Sequence, residues 1–376
     1  MKIALVHKRL DLQGGTERDL FQTAEGLRDL GHEVHLFCSE YGVQPPAEVI
    51  SHRVPVIPLG RTLRLWSAGW FTQQAVRRAD CDVTVGFGRL ARQDVLRCGG
   101  GTHRGFLARL GAAGGARRRL WQNLSIYHRS VLAIEKRQYA PSGARRIIAV
   151  SEQVKDDIIA YYAVPPEKIA VLYNGVDTRR FHPSRRGEAR DQVRNCWKIP
   201  CEAPLVLFVG SGFRRKGLDR LLSAWKSPRL DRVFLLVVGA DARLAGYRAQ
   251  AEAAAPGRVI FAGRQERIED YYASADVVVL PALQEAFGNV VLEALACGLP
   301  VAVSRDVGAA ELLRGALSAG IIESSLDATG LAETLLSLLT RSADPAWRSE
   351  ARSIAEAYSW KNHFRKLEAL LRESVG

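Results

Sequence analysis

The sequence predicts an α/β protein built of two doubly wound parallel sheets that face each other across a cleft. Three observations carry this expectation. The chain opens with a βαβ unit, which demands a parallel sheet and a right-handed crossover. A second series of apolar strands starts afresh near residue 205. The length of 376 residues exceeds one ordinary core, so two domains of roughly 150–200 residues are expected.

The elements follow in order. Ile3-Ala4-Leu5-Val6 is a buried apolar strand, and its loop ends at Gly14-Gly15. From Thr16 to Leu30 the spacing of Leu20, Ala24, Leu27 and Leu30 is helical, and Gly31 stops it. Val34-His35-Leu36-Phe37 is the next strand. Val83–Val85, Ile147–Val150 and Ala170–Leu172 continue the first sheet. In the second half, Leu205–Val209 leads into a glycine-basic loop and a helix from Leu218 to Trp225. Val233–Val238, Val259–Phe261, Val277–Leu280 and Val301–Val303 supply further strands. The expected domains are residues 1–180 and 181–358, with a linker near Asp177–Arg186. An amphipathic helix from Trp360 to Arg372, within 359–376, is expected to pack back on the first domain. Ligands of such sheets sit at the carboxyl ends of the strands.

Composition narrows the class. Apolar residues at 47% and charged residues at 25% are ordinary globular values and exclude wholesale disorder. The six cysteines form no C-x-x-C and no zinc-spaced cluster, so free thiols in a reducing compartment are expected. The run Ile3–Val6 is too short for a secretion signal, and no stretch approaches the ~18 apolar residues of a membrane span. The net charge of +13 is local: residues 97–146 hold 11 basic residues and one acid, Glu135. A field of that kind calls for an anionic partner, whether a membrane surface, a phosphorylated glycolipid or nucleic acid.

Three segments can carry chemistry. Gly14-Gly15, before a helix N-terminus, suits a phosphate, although such glycines also serve turn geometry alone. Gly210-Ser-Gly-Phe-Arg-Arg-Lys-Gly217 puts three cations among glycines after a strand, an anion cradle. It is not a dinucleotide fingerprint, because Arg215 stands where the third glycine belongs, and not a P-loop, because Leu218-Asp219 follows Gly217. Glu285-Ala-Phe-Gly-Asn-Val-Val-Leu-Glu293 opens a helix after a strand. Gly288 and Asn289 offer amides to a diphosphate, and the two carboxylates, unsuited to a phosphate, accept hydrogen bonds from sugar hydroxyls.

These motifs, taken in order, resemble the family 4 retaining glycosyltransferases of GT-B fold, two Rossmann-like domains about a central cleft. The resemblance spans nearly the whole chain. It includes Gly14-Gly15-Thr-Glu17, Leu30-Gly-His-Glu-Val34, Tyr173-Asn-Gly-Val-Asp-Thr178 with Phe181, Arg215-Lys216-Gly217, Phe261-Ala-Gly263 and the E-x7-E segment running into Leu295-Ala-Cys-Gly-Leu-Pro-Val301. Within the family, the lipopolysaccharide-core glucosyltransferases share G-G-x-x-R-D (Gly14 to Asp19) and V-G-S-x-F-x-R-K-G (Val209 to Gly217). The resemblance implies roles. Gly15 gives its amide to the donor diphosphate with Asp19 behind it. Lys216, aided by Arg215, neutralises the departing diphosphate. Glu285 bonds the donor sugar, with amides of Phe287, Gly288 and Asn289 around it. Glu293 holds the ribose, Arg264 makes a backbone contact to the base, and His103 lies close to the transferred sugar. Catalytic roles fall to His103, Lys216, Arg215, Glu285 and Asp19. Most of the family has Arg where this chain has Ser211, so the cationic task passes to the following residues.

The implied reaction moves a hexose, glucose first, from a UDP-sugar to a lipopolysaccharide-core or related envelope glycolipid. Same-face displacement, with the diphosphate taking the acceptor proton, gives retention. GDP-mannose or UDP-GlcNAc as donor, on another lipid-linked or polysaccharide acceptor, is the alternative. No cofactor or metal is expected. Asp80-Cys-Asp82 spells D-x-D but precedes its strand and reads as a turn. The basic segment 104–146 is expected to meet an anionic membrane: Leu120, Leu124, Tyr127, Val131 and Ile134 form a stripe flanked by Arg117-Arg118-Arg119, Arg129, Lys136 and Arg137, with Trp121 nearby, and Arg104 and Arg109 face the acceptor. A stripe at that spacing also suits a core. The expected location is the inner face of the cytoplasmic membrane, peripherally bound. Two rivals are weaker. A NAD-dependent enzyme needs the intact fingerprint. A nucleic-acid binder needs aromatics interleaved with its basic residues, and no nucleic-acid partner is expected.

Overall fold

The computed structural model describes residues 1–12, 14–109, 125–323 and 327–375. The chain forms two compact units, Met1–Asn174 together with Trp360–Gly376, and Gly175–Ser359.

The first unit contains β1 (Lys2–Val6), β2 (Arg9–Leu10), β3 (Glu33–Cys38), β4 (Glu40–Tyr41), β5 (Ile50–Arg53), β6 (Val83–Gly86), β7 (Val95–Cys98), β8 (Arg146–Ala149) and β9 (Ile169–Val171). Seven of them make a parallel sheet in the order β5-β3-β1-β6-β7-β8-β9, while β2 and β4 pair separately. In β1, Ile3 and Leu5 pack with Leu20, Ala24, Leu27, Leu367 and Leu371. Ala4 and Val6 pack on the opposite side with Phe37, Leu90, Phe71 and Val76. Successive side chains of a strand point to opposite faces. Helices on both faces therefore require the unbroken apolar run seen in the sequence.

The helix Gly15–Asp29 ends where Gly31 adopts φ +84°, with the His32 amide bonded to the Leu27 carbonyl at 3.2 Å. That reverse turn favours glycine at φ > 0. A Cβ on Gly26, inside the same helix, would collide with the ring of Phe364. Absence of a side chain there is what lets the returning helix Trp360–Val375 lie against it.

The second unit contains β10 (Leu205–Val209), β11 (Phe234–Val238), β12 (Val259–Gly263), β13 (Val277–Leu280), β14 (Val301–Ser304) and β15 (Ile321–Ile322). They form one parallel sheet in the order β12-β11-β10-β13-β14-β15. In both units the first strand sits inside the sheet, between β3 and β6 in one and β11 and β13 in the other. Chain connections diverge from that strand to either side, which opens a crevice at its carboxyl end.

Asp177–Arg186, expected as a linker, lies wholly in the second unit. Arg180 bonds Glu269 (Nε–Oε2 3.0 Å), Arg185 bonds Asp270 (3.1 Å) and Arg186 bonds Asp276 (2.6 Å). These charges clamp the stretch to that unit, and the first crossing between units falls at Asn174–Gly175. Strands β2, β4, β5, β7 and β15 are additions to the expected set. Arg53 in β5 and Arg97 in β7 interrupt the apolar pattern.

The basic segment divides. Residues 110–124, with Arg117, Arg118, Arg119, Leu120, Trp121 and Leu124, lie outside the described residues. In the helix Ile126–Gln138, Val131 and Ile134 are buried, so this part of the stripe is core, whereas Arg129, Lys136 and Arg137 are exposed. Arg109, expected to face an acceptor, is tied to Asp157 by paired bonds of 2.7 and 2.8 Å. Asp80 takes a left-handed conformation after the helix Gly60–Ala79, and Asp82 accepts from the Lys2 amide at 2.7 Å. The D-x-D is a turn.

Candidate active site

In the second unit the loops after β10 and β13 are locked together at the topological switch. Gly217 has φ +80°, and a Cβ there would strike the Pro281 carbonyl. The Leu283 amide donates to the Arg215 carbonyl at 3.0 Å. Gly210 plays a different part: a Cβ at this position would strike the stem of Lys216. Glycine therefore lets the lysine fold back over the end of β10.

Two cations meet one carboxylate there. Glu285 Oε2 lies 2.6 Å from Arg215 Nη1 and 3.3 Å from Lys216 Nζ. Burial by itself would raise the Glu285 pKa, but Lys216 and then Arg215 outweigh it and hold the carboxyl below its usual range. The Glu285 backbone is fixed by Asp306 (3.2 Å) and Gly308 (3.0 Å). The side chain of Lys216 is 11% exposed and that of Arg215 42%. The lysine is thus the enclosed cation and the arginine the outer one. Phe287 is buried, and Gly288, at φ +92°, begins the helix Asn289–Ala296. Its positive dipole end faces the same loop. Glu293 sits further along that helix and accepts from the Tyr272 hydroxyl at 2.5 Å. Arg264 is exposed and follows β12, two strands from β10. The second unit therefore gathers Arg215, Lys216, Glu285, Phe287, Gly288 and Asn289, places Glu293 beyond them and sets Arg264 apart at the sheet's far edge.

In the first unit Gly15 opens its helix, a Cβ added to it would meet nothing, and the Glu17 carboxylate of the first turn folds back over Gly14. Asp19, expected behind Gly15 and among the catalytic residues, is enclosed in the unit. It is 2% exposed, and both its oxygens are engaged by Arg97, at 2.5 Å to Nε and 3.1 Å to Nη2. It anchors the helix that carries Gly15. Arg97 also donates to Asn174 Oδ1 at 2.9 Å. His103 begins a helical segment, 103–109. Its amide donates to Glu135 at 2.6 Å, and its Nε2 is 3.0 Å from His128 Nδ1. Burial first, then Arg89 and His128, depress its pKa to about 4, so the ring is neutral near pH 7.

Sequence reasoning missed Arg97, Glu135, His128 and Tyr272. Only Glu135 had a signal, as the one acid in a run of cations. No group of three or more potential metal-ligating side chains occurs among the described residues.

Two doubly wound parallel sheets, the second with two cations and a carboxylate at its switch point, match the class of glycosyltransferases with GT-B architecture. Comparison agrees. Residues 13–180 match Glycosyltransferase Family 4, and residues 189–360 match Glycosyl transferases group 1. A probable transglycosylase of Burkholderia thailandensis is 30% identical over 366 residues, 95% of this chain and 92% of that one. The lipopolysaccharide glucosyltransferase WaaG of Escherichia coli K12 is 27% identical over 359 residues, 91% of each chain. A crystal structure of WaaG, a glycosyltransferase involved in lipopolysaccharide biosynthesis, matches with TM-score 0.84 and 25% identity over 98% of this chain and 99% of that one. The chain belongs to glycosyltransferase family 4 and is a glycosyltransferase of GT-B fold.

Proposed function

We propose that the enzyme transfers glucose, with retention, from UDP-glucose to a lipopolysaccharide-core or related envelope glycolipid bearing phosphate. The observation that carries this reading is the convergence of Lys216 and Arg215 on Glu285 at the switch point of the second sheet. Breaking the anomeric bond builds negative charge on the leaving diphosphate. Fixed cations in an enclosed site stabilise that charge most in the transition state. Before donor arrives, Glu285 keeps both cations in place. A diphosphate draws them off, and the released carboxylate is then an acceptor for sugar hydroxyls. Gly15, at its helix start, gives a second diphosphate contact. Glu293, oriented by Tyr272, holds the ribose, and Arg264 meets the base. This assignment gives the leaving-group charge to side chains rather than to a metal. Glucose as the donor sugar rests on the likeness to the WaaG enzyme of that name.

The acceptor reading includes a membrane. Leu59 (71% exposed), Leu63 (44%) and Trp70 (59%) share one face of, or just before, the helix Gly60–Ala79, at i, i+4 and i+11. Exposed Ile126 starts the helix that touches it. Arg61, Arg77, Arg78, Arg129 and Lys136 are exposed on the same two helices, and no exposed acid is present on either. Apolar and cationic side chains in that mixture suit an anionic membrane surface and peripheral attachment. No helix among the described residues is long and apolar enough to cross a membrane.

The test is a thermal-shift panel of UDP, UDP-glucose, UDP-galactose, UDP-GlcNAc and GDP-mannose, with NAD and an oligonucleotide as controls. A ligand at 100 times its dissociation constant stabilises by about 2.7 kcal/mol. A shift with UDP and UDP-glucose is expected. A response to GDP-mannose alone replaces the donor, and silence from every nucleotide sugar overturns the reading.

A further inference from the structure

The helix Ile126–Gln138 holds the His103 segment at two points. Its Glu135 is 5% exposed and accepts from the amides of His103 (2.6 Å) and Arg104 (3.1 Å) and from the Tyr162 hydroxyl. A carboxylate supplied by another helix thus caps the first turn of 103–109. Seven residues earlier, on the same face of the helix, His128 meets the His103 ring. His128 Nδ1 is 3.0 Å from His103 Nε2, with ring centroids 5.1 Å apart. Ser125 caps the His128 amide at 3.4 Å, so the second imidazole stands on an ordered turn.

A neutral imidazole has one donor nitrogen and one acceptor nitrogen. Burial, Arg89 and His128 keep His103 uncharged, and burial, Arg61 and Arg89 lower the pKa of His128 as well. One hydrogen therefore lies between the two rings. That bond occupies Nε2 of His103. Among the described residues Nδ1 makes no hydrogen bond.

We propose that His128 is a positioning residue for the transfer reaction: its bond to Nε2 fixes the tautomer and ring plane of His103 and leaves Nδ1 as the nitrogen presented to the donor sugar. The inference rests on the reading of His103 as the sugar-side histidine. Glu135 fixes the backbone, and His128 fixes what the backbone alone leaves free, rotation about the side-chain torsions. Such orientation acts on turnover rather than on donor binding, because small misplacements matter most in the transition state.

Two variants and a spectroscopic measurement test this on the full chain. His128→Phe keeps an aromatic ring beside His103 and removes the bond. His128→Asn keeps a polar atom near the position of Nδ1. With UDP-glucose, or whichever nucleotide sugar the wild type turns over, His128→Phe is expected to lower kcat about tenfold or more, with KM for the donor within about twofold. His128→Asn is expected to regain most of the loss. Nitrogen-15 NMR of labelled histidine is expected to show a single His103 tautomer in the wild type and a tautomer mixture in His128→Phe. Unchanged kcat in His128→Phe, an Asn variant as slow as the Phe variant, or a single His103 tautomer that survives His128→Phe would each overturn the proposal. If the wild type turns over no nucleotide sugar, the functional reading fails, while the tautomer measurement still decides the His128 bond. If His128→Phe does not fold, His128→Asn carries both measurements: the wild-type tautomer retained with most of kcat supports the bond, and its loss with kcat unchanged overturns it.

Discussion

Each unit places an acid against a guanidinium beside its glycine loop, and the two guanidiniums differ in burial. Asp19 and Arg97 have side chains 2% and 0% exposed, and their bond is sealed. Glu285 meets Arg215, whose side chain is 42% exposed, and Lys216. A sealed ion pair cannot release its cation to a ligand, because either charge left alone in the interior costs several kcal/mol. An open pair can exchange partners, since water and an incoming anion replace what is lost. The same residue types therefore build a sealed anchor in one sheet and a pair with an exposed guanidinium in the other.

The largest effect comes from breaking the sealed pair. Arg97→Leu strands Asp19 and is expected to cost about 3–5 kcal/mol in urea unfolding. The double variant Arg97→Leu with Asp19→Asn is expected to recover part of this. A loss below about 1 kcal/mol would place the Asp19 site in water and end the contrast. Next is Lys216→Ala, expected to lower kcat by roughly 10²–10³-fold with an unchanged melting temperature. Near wild-type turnover removes the enclosed lysine from the leaving-group role.

A third test concerns acid. His103, held at about 4 in the folded chain against about 6.5 unfolded, takes up its proton in the unfolded state first. Stability therefore falls as pH drops from about 6.5 to 4, by roughly 3 kcal/mol for this residue. His103→Phe should flatten that limb in urea titrations, and an unaltered limb assigns it to other histidines. Glu285 acts in the same direction, at lower pH, and has the smallest effect. Its lowered pKa stabilises the fold above its unfolded value and is lost as pH falls through the folded value. Glu285→Gln should thus lose less melting temperature than wild type on going below about pH 4.5, the ordinary carboxylate range. Equal losses would mean the open pair contributes nothing to stability.

Much of this arrangement was legible in residue order. Apolar runs such as Ile3–Val6 and Leu205–Val209 could only be strands buried on both faces, and the glycines at 210 and 217 with E-x7-E marked the second-unit loops. What escaped notice did so for one physical reason. Arg97 sits in β7, where a charge argues against a buried strand, and only the distant Asp19 makes it tolerable there. Glu135 and His128 act through a segment about 25–32 residues away in sequence, and spacing within a helix does not disclose what its face will touch. Asp19 is a like case: its motif position was visible, but its partner was not.

The returning helix Trp360–Val375 carries a consequence for biosynthesis. Leu367 and Leu371 are fully buried in the core that Ile3 and Leu20 begin, and Phe364 lies over Gly26. During translation every residue of the second unit is available once Ser359 has left the ribosome. The first keeps one hydrophobic face bare until residues 360–375 have followed. Domains generally fold as units, amino-terminal first; here the amino-terminal unit is the later to finish. A truncation within 360–375 would therefore harm the beginning of the protein, exposing the Leu20–Leu27 face to chaperones and aggregation while leaving the second sheet intact.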